Sequence, residues 1–358
     1  MSTAKNTGAA STGTRTGGGG GARAKLRAIW AQHWFLCLLP VAFTLAWFAP
    51  QIAAKGGWLK PEVMTKLGVG LIFLLQGLQL PMAQVRSALG QVRLHAVVQG
   101  MTFVGFPALG LAAALLVGRW LPDELRIGLV FLSVLPSTVS SAAVLTATAG
   151  GNTAGAICNA VLSSLLGIAL TPVLLAAAMS AQGVALGSAG GGIDAGRVVL
   201  ELIKLILVPL VVGQLLRLRF GDWATRHKKR LGVVNMSMIL FIVFAAFCDA
   251  SKAQVWTLHG VSTPLEALAI AGGLFALATW ATRALVRATW LAEDDAIAAE
   301  FCAVQKTLAS GVPLAGVIFA GDPRVGLILL PLLIYHPLQL SVHGALAARW
   351  AKRKRGAV

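Results

Sequence analysis

Apolar residues do not alternate along this chain; they come in long runs parted by short polar or basic segments. Ten runs fall near 34–49, 63–80, 92–117, 125–149, 154–180, 197–217, 231–249, 264–287, 293–319 and 323–350. They approach the roughly 20 residues that a helix needs to cross hydrocarbon, whereas a membrane β-barrel would show short alternating segments. Composition agrees: 57% of the 358 residues are hydrophobic and 12% charged, against about 25% charged in a soluble domain. The pattern predicts an all-α polytopic membrane protein with ten transmembrane helices.

Charge sets the orientation. A net charge of +17 would point to nucleic acid in a soluble protein. Here Lys and Arg gather between and beyond the runs, so nucleic acid is not the partner; the lipid bilayer is. With ten spans both termini share one side. That side receives 20 of the 30 Lys and Arg, the other side 9, and Lys306 lies inside a span. Arg226-His227-Lys228-Lys229-Arg230 and Lys352-Arg353-Lys354-Arg355 dominate the richer side. The positive-inside rule then makes both termini cytoplasmic in a multi-pass protein of the cell (inner) membrane. Trp34, Trp47, Trp120, Trp223, Trp290 and Trp350 stand at or beside run ends, where an aromatic belt belongs.

Residues 1–24, rich in Gly, Ser and Thr, cannot bury enough apolar surface to offset their ordering entropy and read as a disordered tail. Residues 25–350 form the ten-helix domain, and 351–358 a basic cytoplasmic tail. Cys37, Cys158, Cys248 and Cys302 have no CxxC spacing, which argues against zinc and against a disulfide framework.

Divided at the Gly-rich segment 181–196, the chain shows two halves, 30–180 and 197–350, of five spans each. Pro40 and Pro172 in the first are 132 residues apart; Pro209 and Pro337 in the second are 128 apart. An odd number of spans per half inverts the second relative to the first. The fifth span of each half carries a proline interruption, Thr171-Pro172 and His336-Pro337. The fourth and ninth spans read as broken helices: "LPSTVSSAAV" (135–144) in one, "KTLASGVP" (306–313) in the other. Proline removes a backbone donor, and glycine lets the backbone unwind. Peptide groups left open at that depth survive only inside protein or beside a wet cavity. One such motif would read as a kink. A matched pair in inverted halves is the pointer to a transporter's midplane site.

At these residues the chain resembles the bile acid:sodium symporter superfamily, specifically an orphan bacterial branch related to the orphan member of the animal solute carrier family 10. The likeness is carried by "LPSTVSSAAVLTATAGGNTAGAICNAVLSSLLGIALTP" (135–172) and "FCAVQKTLASGVPLAGVIFAGDP" (301–323) with "LILLPLLIYHPLQL" (327–340). The resemblance implies ten helices, the fourth and ninth unwound and crossing at the ion and substrate site. It implies a panel domain from spans one, two, six and seven moving against a core domain from the rest. This chain departs from sodium-coupled relatives: Ser140-Ser141 replaces their Ser-Asn pair, and Gln305-Lys306 stands where they have Gln-Asn. Ala156 and Ala160 fall about where they have hydroxyl ligands. The coupling ion, sodium or proton, stays open.

The candidate binding residues are Ser137, Thr138, Ser140, Ser141, Asn159, Ser163, Gln305, Lys306, Thr307 and Ser310, with Gln76, Gln79 and Glu300 as additional ones. Ser140, Ser141 and Glu300 are the candidate sodium ligands, and no other cofactor is implied. An ionisable residue inside a membrane is a functional hypothesis by default. Lys306 is read either as a fixed cation standing in for sodium or as a contact to an anionic substrate. The expected function is secondary active transport of a small organic anion by alternating access, coupled to sodium or protons; a homodimer is the one assembly considered. The competing reading is a membrane regulator of ion (calcium) homeostasis with no concentrative transport of its own. No paired-carboxylate, zinc-ligand or Ser-His-Asp pattern speaks for an enzyme.

Overall fold

The computed structural model describes residues 19–80, 90–182, 195–259 and 262–356, so most of the expected tail and most of the loop 181–196 lie outside the described residues. Every regular element among them is helical. Besides short helical turns at Pro50–Ile52 and Val255–His259, the helices are α1 Gly19–Phe48, α2 Pro61–Gln79, α3 Val92–Trp120, α4 Asp123–Val134, α5 Val139–Thr148, α6 Thr153–Ala181, α7 Ala195–Arg226, α8 Lys228–Lys252, α9 Thr263–Ala288, α10 Glu293–Val304, α11 Leu308–Ile318 and α12 Val325–Gly356. Seven segments, counting α10–α11 as one, are long and apolar enough to cross a membrane, and the bent pair α4–α5 brings the number to eight. The chain is thus a multi-pass membrane protein.

Two packing groups are evident. α2 lies along α7 and beside α8, and α1 packs on α8; α4 packs on α12, α5 on α6, α9 on α10 and α12. In the first group the closest approach is glycine-made. A Cβ at Gly77 would strike the carbonyl of Leu210, and one at Gly213 the carbonyl of Leu74. Only residues without a side chain let two backbones meet so closely. Leu74 against Gly213 and Leu78 against Arg217 are both 139 residues apart, so α2 and α7 run parallel.

The helices extend further than hydropathy alone predicts. α1 begins at Gly19, and α12 continues through the basic residues 352–355 to Gly356. Ala, Leu, Arg and Lys dominate those extensions and are strong helix formers, so the helix outlasts the apolar run.

Proline behaves differently from expectation. α6 runs unbroken through Pro172, and α12 through Pro331 and Pro337, so the fifth span of each half is not interrupted. Proline forfeits one backbone bond there, which the flanking turns absorb within protein. The second break also moves. It lies at Gln305–Thr307, and Gly311 and Pro313 sit inside α11. Gly311 serves close packing rather than unwinding, since a Cβ there would press on Leu135 and Leu332.

Candidate functional site

α4 ends at Val134 and α5 starts at Val139 with a 63° bend between them; α10 ends at Val304 and α11 starts at Leu308. Acidic first turns, Asp123-Glu124 on α4 and Glu293-Asp294-Asp295 on α10, complement the positive helix ends. The two broken helices are antiparallel. At one face the N–H of Asn152, just past α5, donates to Asp294 O of α10 at 2.9 Å. At the other, Phe131 of α4 stacks edge-on against Phe319 beyond α11, ring centroids 5.8 Å apart. Between these faces the breaks touch directly: Thr307 N–H donates to Pro136 O at 3.1 Å.

Helix ends leave carbonyls without partners, and buried ones must find them elsewhere. The end of α4 can be accounted for group by group. Ser133 Oγ donates to Val130 O, Leu135 N–H to Leu132 O, and Thr171 Oγ1 to Val134 O. Ser137 N–H, which a continuous helix would spend on Ser133 O, goes to Ser163 Oγ at 2.9 Å. Ser133 O is therefore free, as is Leu135 O, because Val139 opens the next helix; both accept from Lys306 Nζ, at 2.9 and 2.7 Å. The third hydrogen of Nζ reaches Thr102 O at 3.2 Å, beside a π-helical turn over Met101–Gly105 in α3. The Phe106 ring centroid lies 4.1 Å away.

Lys306 is fully buried. Three N–H groups meet three carbonyls, a set that only the ammonium form can satisfy. The negative end of α4 and the aromatic face supply the rest of its compensation. Its own backbone is held from α12: Lys306 N–H donates to Gln339 Oε1 at 2.8 Å, and Gln339 Nε2 donates back to Lys306 O at 2.9 Å. Tyr335 Oη donates to Val304 O at 2.7 Å, and Ser137 Oγ to Cys302 O at 2.6 Å.

Beside the crossing lies a cavity of about 550 Å³. The first turns of both half-helices wall it, Val139, Ser140 and Ser141 on one side and Leu308, Ala309 and Ser310 on the other. Neither helix start is capped by a side chain, so unpaired N–H groups and positive dipole ends face this space. Arg217 of α7 and Lys228 of α8 line it, and among the described residues no carboxylate does.

The expected residues divide into three groups. Thr138, Ser140, Ser141, Thr307, Ser310, Gln76 and Gln79 line the cavity. Gln76 bridges the two packing groups through its Nε2 to Ala309 O at 3.1 Å. Ser137, Ser163, Gln305 and Lys306 build the breaks behind the wall: Ser141 Oγ donates to Gln305 Oε1, while Lys306 faces carbonyls rather than the cavity. Asn159 and Glu300 stand elsewhere. Asn159 is shared with His95 and Gln99 of α3, and Glu300 is bound to Arg283 and borders a different cavity. Glu300 is thus not brought to Ser140 and Ser141 as a common ion site. Sequence reasoning missed Arg217, Lys228 and Gln339, and it did not count His336, which lines the cavity, among the binding residues.

This is a helical membrane protein whose two antiparallel broken helices cross beside a cationic cavity. Residues 33–352 match the model of the SBF-like CPA transporter family, and the chain belongs to that family. It is 38% identical to an uncharacterized protein of Pseudomonas aeruginosa, over 89% of this chain and 93% of that one. It is 35% identical to the putative symporter YfeH of Escherichia coli K12, over 82% and 85% of the two chains. It is also 35% identical to the mouse sodium/bile acid cotransporter 7, over 88% and 91%.

Proposed function

We propose that the chain is a secondary active transporter that moves a small organic anion across the cell membrane by alternating access. The carrying observation is the cavity at the crossing, walled by two helix starts with Arg217 and Lys228 and, among the described residues, no carboxylate. That is chemistry for an anion, since uncapped helix starts and guanidinium groups both favour negative charge. Relatives described as a symporter and as a sodium/bile acid cotransporter support the class.

The reading assigns ten spans, taking α4–α5 and α10–α11 as one span each, in two inverted halves. The parallel α2–α7 contact supports it, because three crossings must then separate those helices. The two packing groups serve as panel and core. With the basic turn between α7 and α8 cytoplasmic, the cavity reaches Thr225 and Lys228, and the conformation is inward-facing.

Lys306 acts in this reading as a resident cation. It holds oxygens that would otherwise call for a bound ion, and all three of its ammonium hydrogen bonds are made while the crossing is closed. Proton exchange then requires the two breaks to part, which ties protonation to the transport cycle. Uptake by reconstituted vesicles tests the function, with bile acids, steroid sulfates and short carboxylates as candidate anions. Accumulation of one of them against its gradient is the expected result. Saturable binding with equilibration only, and no accumulation under sodium or proton gradients, favours the regulatory reading.

A further inference from the structure

Away from the crossing, α9, α10 and α12 enclose a second cavity, of about 450 Å³. Four arginines line it, Arg283 and Arg287 from α9 and Arg349 and Arg353 from α12. One carboxylate shares the wall, Glu300 of α10, and it is already engaged: its Oε1 accepts from Arg283 Nε at 2.8 Å and Nη2 at 2.6 Å. Among the described residues no carboxylate pairs with Arg287, Arg349 or Arg353. The guanidinium of Arg353 lies 5.5 Å from the Trp350 ring.

Orientation by positive charge explains why arginines collect on this face. It does not explain why four of them turn toward one concavity, where like charges repel unless an anion joins them. Guanidinium groups bind phosphate oxygens two at a time, which neither carboxylate scarcity nor solvation demands. The cavity also has an apolar side, Ile297 and Leu346 among its lining. It stands at helix ends: Arg287 is in the last turn of α9, and Arg353 in the last turn of α12. Helix ends of this composition mark the level of lipid headgroups.

We infer that this cavity binds the phosphate headgroup of an anionic phospholipid from the leaflet on the basic face. The phosphate neutralises Arg287, Arg349 and Arg353, and the acyl chains leave along the apolar side. The site reports to the crossing through Arg283, because Glu300 lies five residues before Gln305, where α10 breaks. A phosphate that draws Arg283 from Glu300 alters the support of that half-helix. The inference rests on the bilayer orientation proposed above, but not on any substrate or coupling ion.

Thermal unfolding of the purified chain in neutral detergent tests it, with phosphatidylglycerol, phosphatidylcholine and inorganic phosphate added separately. Phosphatidylglycerol should raise the unfolding temperature saturably, and phosphatidylcholine should not. Arg349→Gln with Arg353→Gln should weaken the apparent lipid affinity at least tenfold, from about fivefold per arginine lost. Arg349→Lys with Arg353→Lys keeps the charge, hence insertion and orientation, and should still lose several-fold through the missing bidentate contacts. Equal stabilisation by phosphatidylcholine, or unchanged phosphatidylglycerol affinity in the lysine pair, overturns the proposal. Saturable stabilisation by inorganic phosphate as strong as by phosphatidylglycerol marks a free-phosphate site and overturns the lipid assignment. Uptake assays are separate from this readout, so a failure here leaves the transport reading standing.

Discussion

At the α4–α5 break the backbone has oxygens to spare, while the α10–α11 break brings hydrogens to them. Pro136 offers no N–H, Ser137 N–H is drawn aside by Ser163, and Val139 and Ser140 open the next helix instead of continuing the first, which together free Ser133 O, Leu135 O and Pro136 O. Lys306 Nζ and Thr307 N–H fill those three positions. At the second break Gln339 and Tyr335 take up the backbone groups of Lys306 and the carbonyl of Val304, and Ser137 Oγ reaches Cys302 O. Two interruptions matched in position thus differ in backbone chemistry: the first offers three carbonyls to Lys306 and Thr307, and donates to the second only through side chains, Ser137 Oγ to Cys302 O and Ser141 Oγ to Gln305 Oε1. The difference teaches what a lysine can do at mid-membrane without a carboxylate. A helix end stripped of its own N–H partners is a counter-charge made of backbone.

Removing the donor should have the largest effect. Lys306→Met leaves three buried carbonyls without partners, and at about 1–3 kcal/mol for each orphaned group the stability loss should reach roughly 3–9 kcal/mol. Thermal unfolding in detergent measures it. A loss below about 1 kcal/mol would mean that water satisfies the carbonyls and that the two breaks do not depend on one another.

Ser141→Leu probes the cavity side of the same crossing. Ser141 bonds both Thr138 Oγ1 and Gln305 Oε1 while lining the cavity. The variant should reach the membrane folded and transport nothing, as judged by uptake beside a monodisperse chromatographic profile. Wild-type uptake would remove Ser141 from the site.

Arg217→Gln should act most mildly. Its Nη1 donates to Leu78 O at 2.8 Å, which leaves other donors for an anion. Loss of one charge-assisted contact made in the ground state should raise KM about tenfold with little change in maximal rate. An unchanged KM would place the anion away from α7.

Much of this was legible in the sequence because it depends on local chemistry. The apolar runs define the helices, and the matched Pro, Ser and Lys residues mark both breaks and the crossing. What was not legible depends on where chains meet. Pro172 and Pro337 look like Pro136 in sequence, yet only Pro136 ends a helix, because Ser163 and Thr171 of α6 and Lys306 and Thr307 of the α10–α11 break take up the loose backbone groups around it. Arg217 and Lys228 read as orientation signals near a span end, and only the packing of α7 and α8 turns them to the cavity. Asn159 and Glu300 show the converse. Both sit one or two turns from site residues, but their partners, His95 with Gln99 and Arg283, come from other helices.

The ion dependence of transport tests most directly whether Lys306 stands as the resident cation between the two breaks. Proteoliposomes carrying the wild-type chain and a substrate found by the uptake screen would be assayed in sodium-free medium, with and without an imposed pH gradient. The account predicts uptake without sodium that rises with the proton gradient. Steep sodium dependence with no response to the proton gradient would contradict it.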